Sequence, residues 1–384
     1  MALTTFSFPT TTRFGAGAAA ELPQRLPALG LQRPLVVTDA GLLGTDAFAR
    51  FEKVLGPEGR GQSWFLFHGV HPNPIETDVT STAEAYREHQ CDGIVAIGGG
   101  SALDVGKAAR LLIKRPSLNL AEYRYEDDWS GLVPFVAIPT TAGTGSEVGR
   151  SSVVTITATQ RKAVLFHPEL LAKLVILDPE LTRGLPAKLT AATGLDALTH
   201  CIESFTSPEF HPMCEGIALE GIHFIVDALP RACRDGNDLD ARGRMLVAAA
   251  MGAVAFQKDL GATHSLAHPL STICGMHHGT ANALCLIAVM KFNAVRKPGL
   301  YRRIGLACGL DVVKCDNAAS DVQTIDFMEQ LIAGVGLTQR LRDLGVKEAQ
   351  FDLLADQAIL DGCHRTNPVP VTRDDLRALY VASY

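Results

Sequence analysis

Six short apolar runs punctuate the first 185 residues of this 384-residue chain: PLVVTD (34–39), SWFLF (63–67), GIVAIGGG (93–100), PFVAIPTT (134–141), SSVVTIT (151–157) and LVILDP (174–179). Near-continuous apolarity over so few residues, with little polar alternation, belongs to strands covered on both faces. Stretches of helical period, such as 78–89 and 101–113, fall between the runs. Strands alternating with helices predict a doubly wound, mainly parallel sheet. After Leu185-Pro186 the β-rich runs fade, and 187–206, 213–229, 239–256, 279–293, 321–344 and 371–382 read at helical period between turn clusters such as RDGND and RKPG. The expected architecture is therefore an α/β domain over residues 1–185 followed by an all-α domain over 186–384.

Composition narrows the function classes. With 47% apolar and 20% charged residues the chain has the makings of a packed core and not of a disordered polymer. A net charge of −6 argues against a nucleic-acid surface or a polybasic membrane patch. The nine cysteines form no CxxC pair and no regular framework, as expected where thiols stay reduced. The opening MALTTFSFPTTTRFG lacks a basic region followed by an apolar one. The longest apolar stretch, Met245 to Phe256, is too short for a bilayer. A cytoplasmic protein without membrane or nucleic-acid partners is expected.

Two loops have the makings of a nucleotide site. Gly98-Gly99-Gly100-Ser101 follows an apolar strand and opens a helix. Glycines there let backbone N–H groups approach a diphosphate, and Ser101 is placed to cap the helix with Asp104 three residues on. The second loop, Pro139 to Glu147, is dense in hydroxyls and glycines, including Thr140 and Thr141, and also follows a strand. Asp39 ends the first strand and either starts a loop or accepts hydrogen bonds from a ribose; an acid there favours NAD over NADP. In the common dinucleotide fingerprint the glycines come first and the acid follows; here the acid precedes them, so a differently wired domain is expected.

The helical half carries a different chemistry. In GLDALTHCIES, Asp196 and His200 stand at i, i+4 on one helix face. His264, His268, His277 and His278, four of the chain's twelve histidines, then crowd into fifteen otherwise mostly apolar residues. Imidazoles with a carboxylate and no thiolate make a mixed N/O site for Fe²⁺ or Zn²⁺, of the kind that keeps a position open for substrate. The plainer reading is a set of buried histidines bonded to backbone carbonyls.

In its motifs the chain resembles the iron-containing (group III) alcohol dehydrogenases along essentially its whole length. The resemblance rests on RPLVVTDAGL (33–42), HPNP (71–74), GGGSALDVGK (98–107), IPTTAGTGSEV (138–148), LDPEL (177–181), GLPAKLTAATGLDALTHCIE (184–203), LGATHSLAHPL (260–270) and HHGTANAL (277–284). It implies metal ligation by Asp196, His200, His264 and His278, with Fe²⁺ favoured over Zn²⁺, and puts His268 near nicotinamide and substrate, where its i+4 spacing from His264 makes it the expected proton relay. His277 is expected at most to touch a ligand. The implied NAD contacts are Asp39, Asn73, Gly99, Gly100, Ser101, Asp104, Thr140, Thr141 and Lys162. Dimers or larger homo-oligomers are implied as well. The expected reaction moves a hydride between a primary alcohol and NAD.

For the substrate, FQKDLG (256–261), HSLAHPL and CHRTNP (363–368) resemble the 4-hydroxybutyrate dehydrogenase branch. Lys258 and Arg150 are candidates to pair with a substrate carboxylate, against the alternative of structural ion pairs. Rival readings are a maleylacetate-reductase-like enzyme, a metal- and NAD-dependent cyclase resembling dehydroquinate synthase, and a non-catalytic scaffold.

Overall fold

The computed structural model describes residues 8, 10–56, 64–159 and 161–384. Most of the N-terminal stretch read for a leader, and Ser63 of the SWFLF run, lie outside these residues. The chain forms two compact units that part between Leu185 and Pro186.

In the first unit β1 (Thr12–Phe14), β2 (Leu35–Val37), β3 (Phe65–Phe67), β4 (Ile94–Gly98), β5 (Phe135–Pro139) and β8 (Leu174–Leu177) form one sheet in the order β1-β8-β5-β4-β2-β3. Every pairing in it is parallel. Its helices are α1 (Leu22–Arg25), α2 (Asp46–Leu55), α3 (Glu76–Glu88) and α4 (Gly100–Lys114). β2, β4, β5 and β8 are buried along their whole length, on both faces, which explains their continuous apolar runs. Val36, Val95, Ile97, Val136, Ile138 and Ile176 pack with Phe48, Phe51 and Trp64. On the other face Gly106 of α4 comes so close that an added Cβ would lie 2.9 Å from the Phe135 ring and 3.1 Å from Ala96 Cβ.

One expected strand behaves differently. SSVVTIT supplies β6 (Ser151–Ile156), which pairs antiparallel with β7 (Arg161–Phe166) as a separate two-stranded ribbon. Its burial alternates along β6, the mark of a strand with one buried and one partly covered face.

The second unit is helical: α5 (Ala187–Thr206), α6 (Pro212–Arg234), α7 (Leu239–Ala255), α8 (Ala262–Cys274), α9 (His278–Arg296), α10 (Arg302–Ala307), α11 (Asn317–Gly334), α12 (Phe351–Ala358) and α13 (Arg373–Ala382). The helix expected over 321–344 ends at Gly334, because Gly336 turns the chain at φ +89°. Leu266, Leu270, Cys285, Val289, Phe351, Leu354, Leu376 and Tyr380 share one core, which welds α8 and α9 to the C-terminal helices. No single helix among the described residues is long and apolar enough to cross a membrane, and none of the nine cysteines is in a disulfide.

Candidate metal centre and nucleotide loops

Three helices of the second unit bring the predicted ligands together. α5 carries Asp196 and His200, α8 carries His264, and α9 begins at His278. Nε2 of His200, His264 and His278 stand 4.0, 3.9 and 3.6 Å from one atom, Asp196 Oδ1. Donor atoms about 2.1 Å from a shared ion, at tetrahedral angles, lie about 3.4 Å apart. The observed separations are slightly wider, on the scale of a cation's coordination sphere.

Small residues permit this approach. A Cβ on Gly279 would fall 2.1 Å from the Ala192 carbonyl oxygen and 3.2 Å from Asp196 Cβ. Only glycine after His278 therefore lets α9 start against α5. A Cβ on Gly252 of α7 would meet His200 Cβ at 3.1 Å.

The donor set fits a metal ion. Asp196 is 2% exposed, and its partners in the cluster are imidazole nitrogens and the Asn282 amide, not an arginine or lysine. Asn282 Nδ2 donates to Asp196 Oδ1 at 2.7 Å and lies 3.2 Å from Nε2 of both His264 and His278. An amide nitrogen has two hydrogens, yet a carboxylate oxygen and two imidazole nitrogens converge on it, while Asn282 Oδ1 is buried without a hydrogen-bond partner. A buried carboxylate with three imidazole nitrogens gathered around one of its oxygens suits a bound cation.

The sequence reading missed two carboxylates that brace the cluster. Glu203 Oε2 meets His264 Nδ1 at 2.6 Å, and Oε1 accepts from the Thr263 N–H at 2.7 Å at the start of α8. This pairing turns His264 Nε2 toward Asp196 and supplies a helix N-terminus with negative charge. Burial pushes the Glu203 carboxyl up, but the His264 and Thr263 contacts outweigh it and hold it below the usual range. Asp361 Oδ2 meets His268 Nδ1 at 2.7 Å. The His268 ring stacks on His278 with centroids 5.3 Å apart. Glu203 stood in plain view in THCIES, one turn after His200; Asp361 had no local signal. His277 is exposed at the start of α9.

In the first unit the two loops meet at the carboxyl ends of β2, β4 and β5. A Cβ on Gly100 would clash with Thr144 at 2.7 Å, and one on Gly99 would lie 3.6 Å from Thr141 Oγ1. The Thr140 N–H donates to the Gly98 carbonyl. Gly98, at φ +149°, faces Asp39 Oδ2. Asp39 Oδ1 also accepts from the Leu42 N–H, so it starts a turn as well. Strand order reverses between β2 and β4, the crevice where ligands of such sheets bind. That wiring explains why the acid precedes the glycines.

Two expectations at this end are corrected. Ser101 does not cap α4: the cap position is Gly99, without a side-chain bond, and Ser101 Oγ donates to the Pro72 carbonyl in the HPNP loop. Asp104 is no capping partner either. It accepts from Ser146 Oγ at 2.6 Å and from the Val153 N–H at 3.1 Å, and it pairs with Lys107. The helix starts one residue before Ser101, so both side chains are free to tie loops together. Asn73 is exposed in the HPNP loop. Lys162 lies across from Thr155, whose N–H donates to the Pro74 carbonyl, so the ribbon is tied to that loop.

Both substrate candidates engage other groups of the chain. Lys258 is 1% exposed, with Nζ 3.1 Å from Glu215 Oε1 and 3.4 Å from the Phe205 carbonyl. Its charge is spent inside the helical unit. Arg150 stacks on Phe166 of β7, 5.3 Å from the ring centre.

Comparison with known proteins gives the class. Residues 190–384 match the C-terminal part of the Fe-containing alcohol dehydrogenase family, and residues 9–179 match iron-containing alcohol dehydrogenase. The chain belongs to the iron-containing alcohol dehydrogenase family and is a metal-containing, NAD-linked alcohol dehydrogenase. It is similar to the 4-hydroxybutyrate dehydrogenase of Cupriavidus necator, 39% identical over 377 residues, covering 94% of this chain and 95% of that one. A crystal structure of 1,3-propanediol oxidoreductase superposes with a TM-score of 0.94 at 34% identity, covering 99% of this chain and 100% of that one. Sulfoacetaldehyde reductase of Bifidobacterium kashiwanohense, solved in complex with NAD⁺, superposes at 0.87 with 30% identity over 100% of this chain and 99% of that one.

Proposed function

We propose that the protein oxidises an ω-hydroxy acid such as 4-hydroxybutyrate to its semialdehyde, or runs the reverse reduction. In this reading Asp196, His200, His264 and His278 would hold the divalent ion, and Asp39, Asn73, Gly99, Gly100, Ser101, Thr140, Thr141 and Lys162 would hold NAD. The convergence of three imidazole nitrogens on one buried carboxylate oxygen carries the proposal for the reaction. The relative named 4-hydroxybutyrate dehydrogenase supports the substrate.

When bound, a divalent ion supplies Lewis acidity that makes an alcohol hydroxyl more acidic and an aldehyde carbonyl a better hydride acceptor. Carrying the hydride is the nicotinamide's chemistry. The chain's own residues do the rest. Glu203 keeps His264 facing inward, the apolar packing of α8 and α9 against the C-terminal helices holds that helix pair in place, and His268 takes the alcohol's proton.

A second reading is an uncharged short alcohol such as 1,3-propanediol. It is favoured by the burial of Lys258 against Glu215, which leaves that cation unavailable to a carboxylate. The test is kcat/KM for 4-hydroxybutyrate, 1-butanol and 1,3-propanediol with NAD, on protein reconstituted with Fe²⁺ or Zn²⁺. A clear preference for 4-hydroxybutyrate supports the hydroxy acid; equal or higher values for the uncharged alcohols reject it. Full turnover in verified metal-free protein rejects the reaction mechanism.

A further inference from the structure

His264 and His268 stand one turn apart on α8, and a carboxylate holds Nδ1 of each: Glu203 for His264 and Asp361 for His268. The first ring faces Asp196; the second stacks on His278. The same device thus serves a metal ligand and its neighbour.

Asp361 is itself fully engaged. Oδ1 accepts from the Ser265 hydroxyl at 2.8 Å and from the Cys363 N–H at 2.9 Å, while Oδ2 faces His268 Nδ1. Ser265 in turn accepts from the His364 N–H at 2.8 Å. The tail is pinned where Thr366 Oγ1 donates to the Leu260 carbonyl and Asn367 Oδ1 accepts from the Ala262 N–H. Burial pushes the Asp361 carboxyl up, but the His268 contact, the Cys363 N–H and Ser265 outweigh it and hold it ionised, well below the usual range. An ionised carboxylate only accepts, so the imidazole nitrogen facing it must carry a proton.

We propose that Asp361 is a positioning residue for the reaction: it keeps a proton on His268 Nδ1, so that Nε2 presents a lone pair to the substrate hydroxyl. This rests on the proposed role of His268. It also gives the CHRTNP segment a task, since Cys363 and His364 anchor the carboxylate and its serine.

The backbone N–H of Cys363 makes the idea testable. It can only donate, so in Asp361→Asn the amide oxygen must take the Oδ1 place, and the NH₂ then faces His268 Nδ1. The ring must accept there and carry its proton on Nε2, the wrong tautomer for a base. The measurement is ¹⁵N NMR of histidine-labelled, zinc-loaded protein, with His268 assigned from a His268→Gln variant. In the unmodified protein, His268 Nδ1 is expected to be the protonated nitrogen; a proton on Nε2 there overturns the proposal without any Asp361 variant. In Asp361→Asn the proton is expected to move to Nε2 and kcat to fall about 10²- to 10⁴-fold. Metal content and NAD affinity are expected to hold, and Asp361→Glu to recover part of the rate.

An unchanged tautomer or an unchanged kcat in Asp361→Asn overturns it. So does a second equivalent of metal that this variant loses, because His268, Asp361 and Cys363 would then be ligands of their own ion. If the unmodified enzyme oxidises no alcohol, the proposed function fails while the tautomer measurement still decides the role of Asp361.

Discussion

Glu203 shows how much a single oxygen can decide. Its Oε1 is committed to the Thr263 N–H, so in Glu203→Gln the amide NH₂ faces His264 Nδ1. His264 would then carry its proton on Nε2, the nitrogen aimed at Asp196, and a protonated nitrogen binds no ion. Apparent metal affinity is expected to fall about 10- to 100-fold, read by competition with a chromogenic chelator. An unchanged affinity would mean that His264 is held by α8 alone. Lys258 makes the opposite point: a residue selected for its charge turned out to spend it on Glu215. Nothing in FQKDLG distinguishes a cation aimed at a ligand from one aimed at α6.

At the scale of elements, the site depends on how closely helices approach. Gly279→Ala places a methyl 2.1 Å from the Ala192 carbonyl oxygen, and backbone cannot yield as a side-chain tip can. The start of α9 must lift from α5, carrying His278 away from Asp196. A loss of roughly 1–3 kcal/mol or more is expected in denaturant unfolding, with metal content well below one per chain. Gly216→Ala, on α6 with nothing within 4 Å of the added methyl, is the control and should be neutral or slightly stabilising. If both variants bind metal alike, the close approach is not what assembles the ligands.

For the whole molecule, the buried acid Glu147 gives stability a pH dependence. Burial pushes its carboxyl up to about 7, with its own N–H and the charge of Lys107 pulling the other way. The folded protein holds this proton where the unfolded chain has lost it, so stability contributed by Glu147 is full below about pH 4.5 and falls as pH rises to about 7. The expected loss across that window is roughly 2–4 kcal/mol. Glu147→Gln should flatten it and gain stability above pH 7, as measured by urea unfolding at several pH values. A parallel pH profile in the variant would show that Glu147 ionises normally.

The alternation of apolar runs and helical stretches determined an α/β unit followed by a helical one, because a strand buried on both faces reads as a continuous apolar run whereas a helix buried on one face reads at helical period. The DxxxH spacing on α5 and the crowd of histidines likewise pointed to a His/Asp cluster, since helical periodicity is local, while the four residues themselves were named through the family resemblance. Tertiary structure alone decided that SSVVTIT leaves the main sheet, that Ser101 and Asp104 brace loops, and that Lys258 is an internal ion pair. It alone brought Asp361 to His268 across 93 residues. Those outcomes depend on which polar partner is nearest once the chain has closed, and residues far apart in sequence carry no sign of one another until packing makes them neighbours.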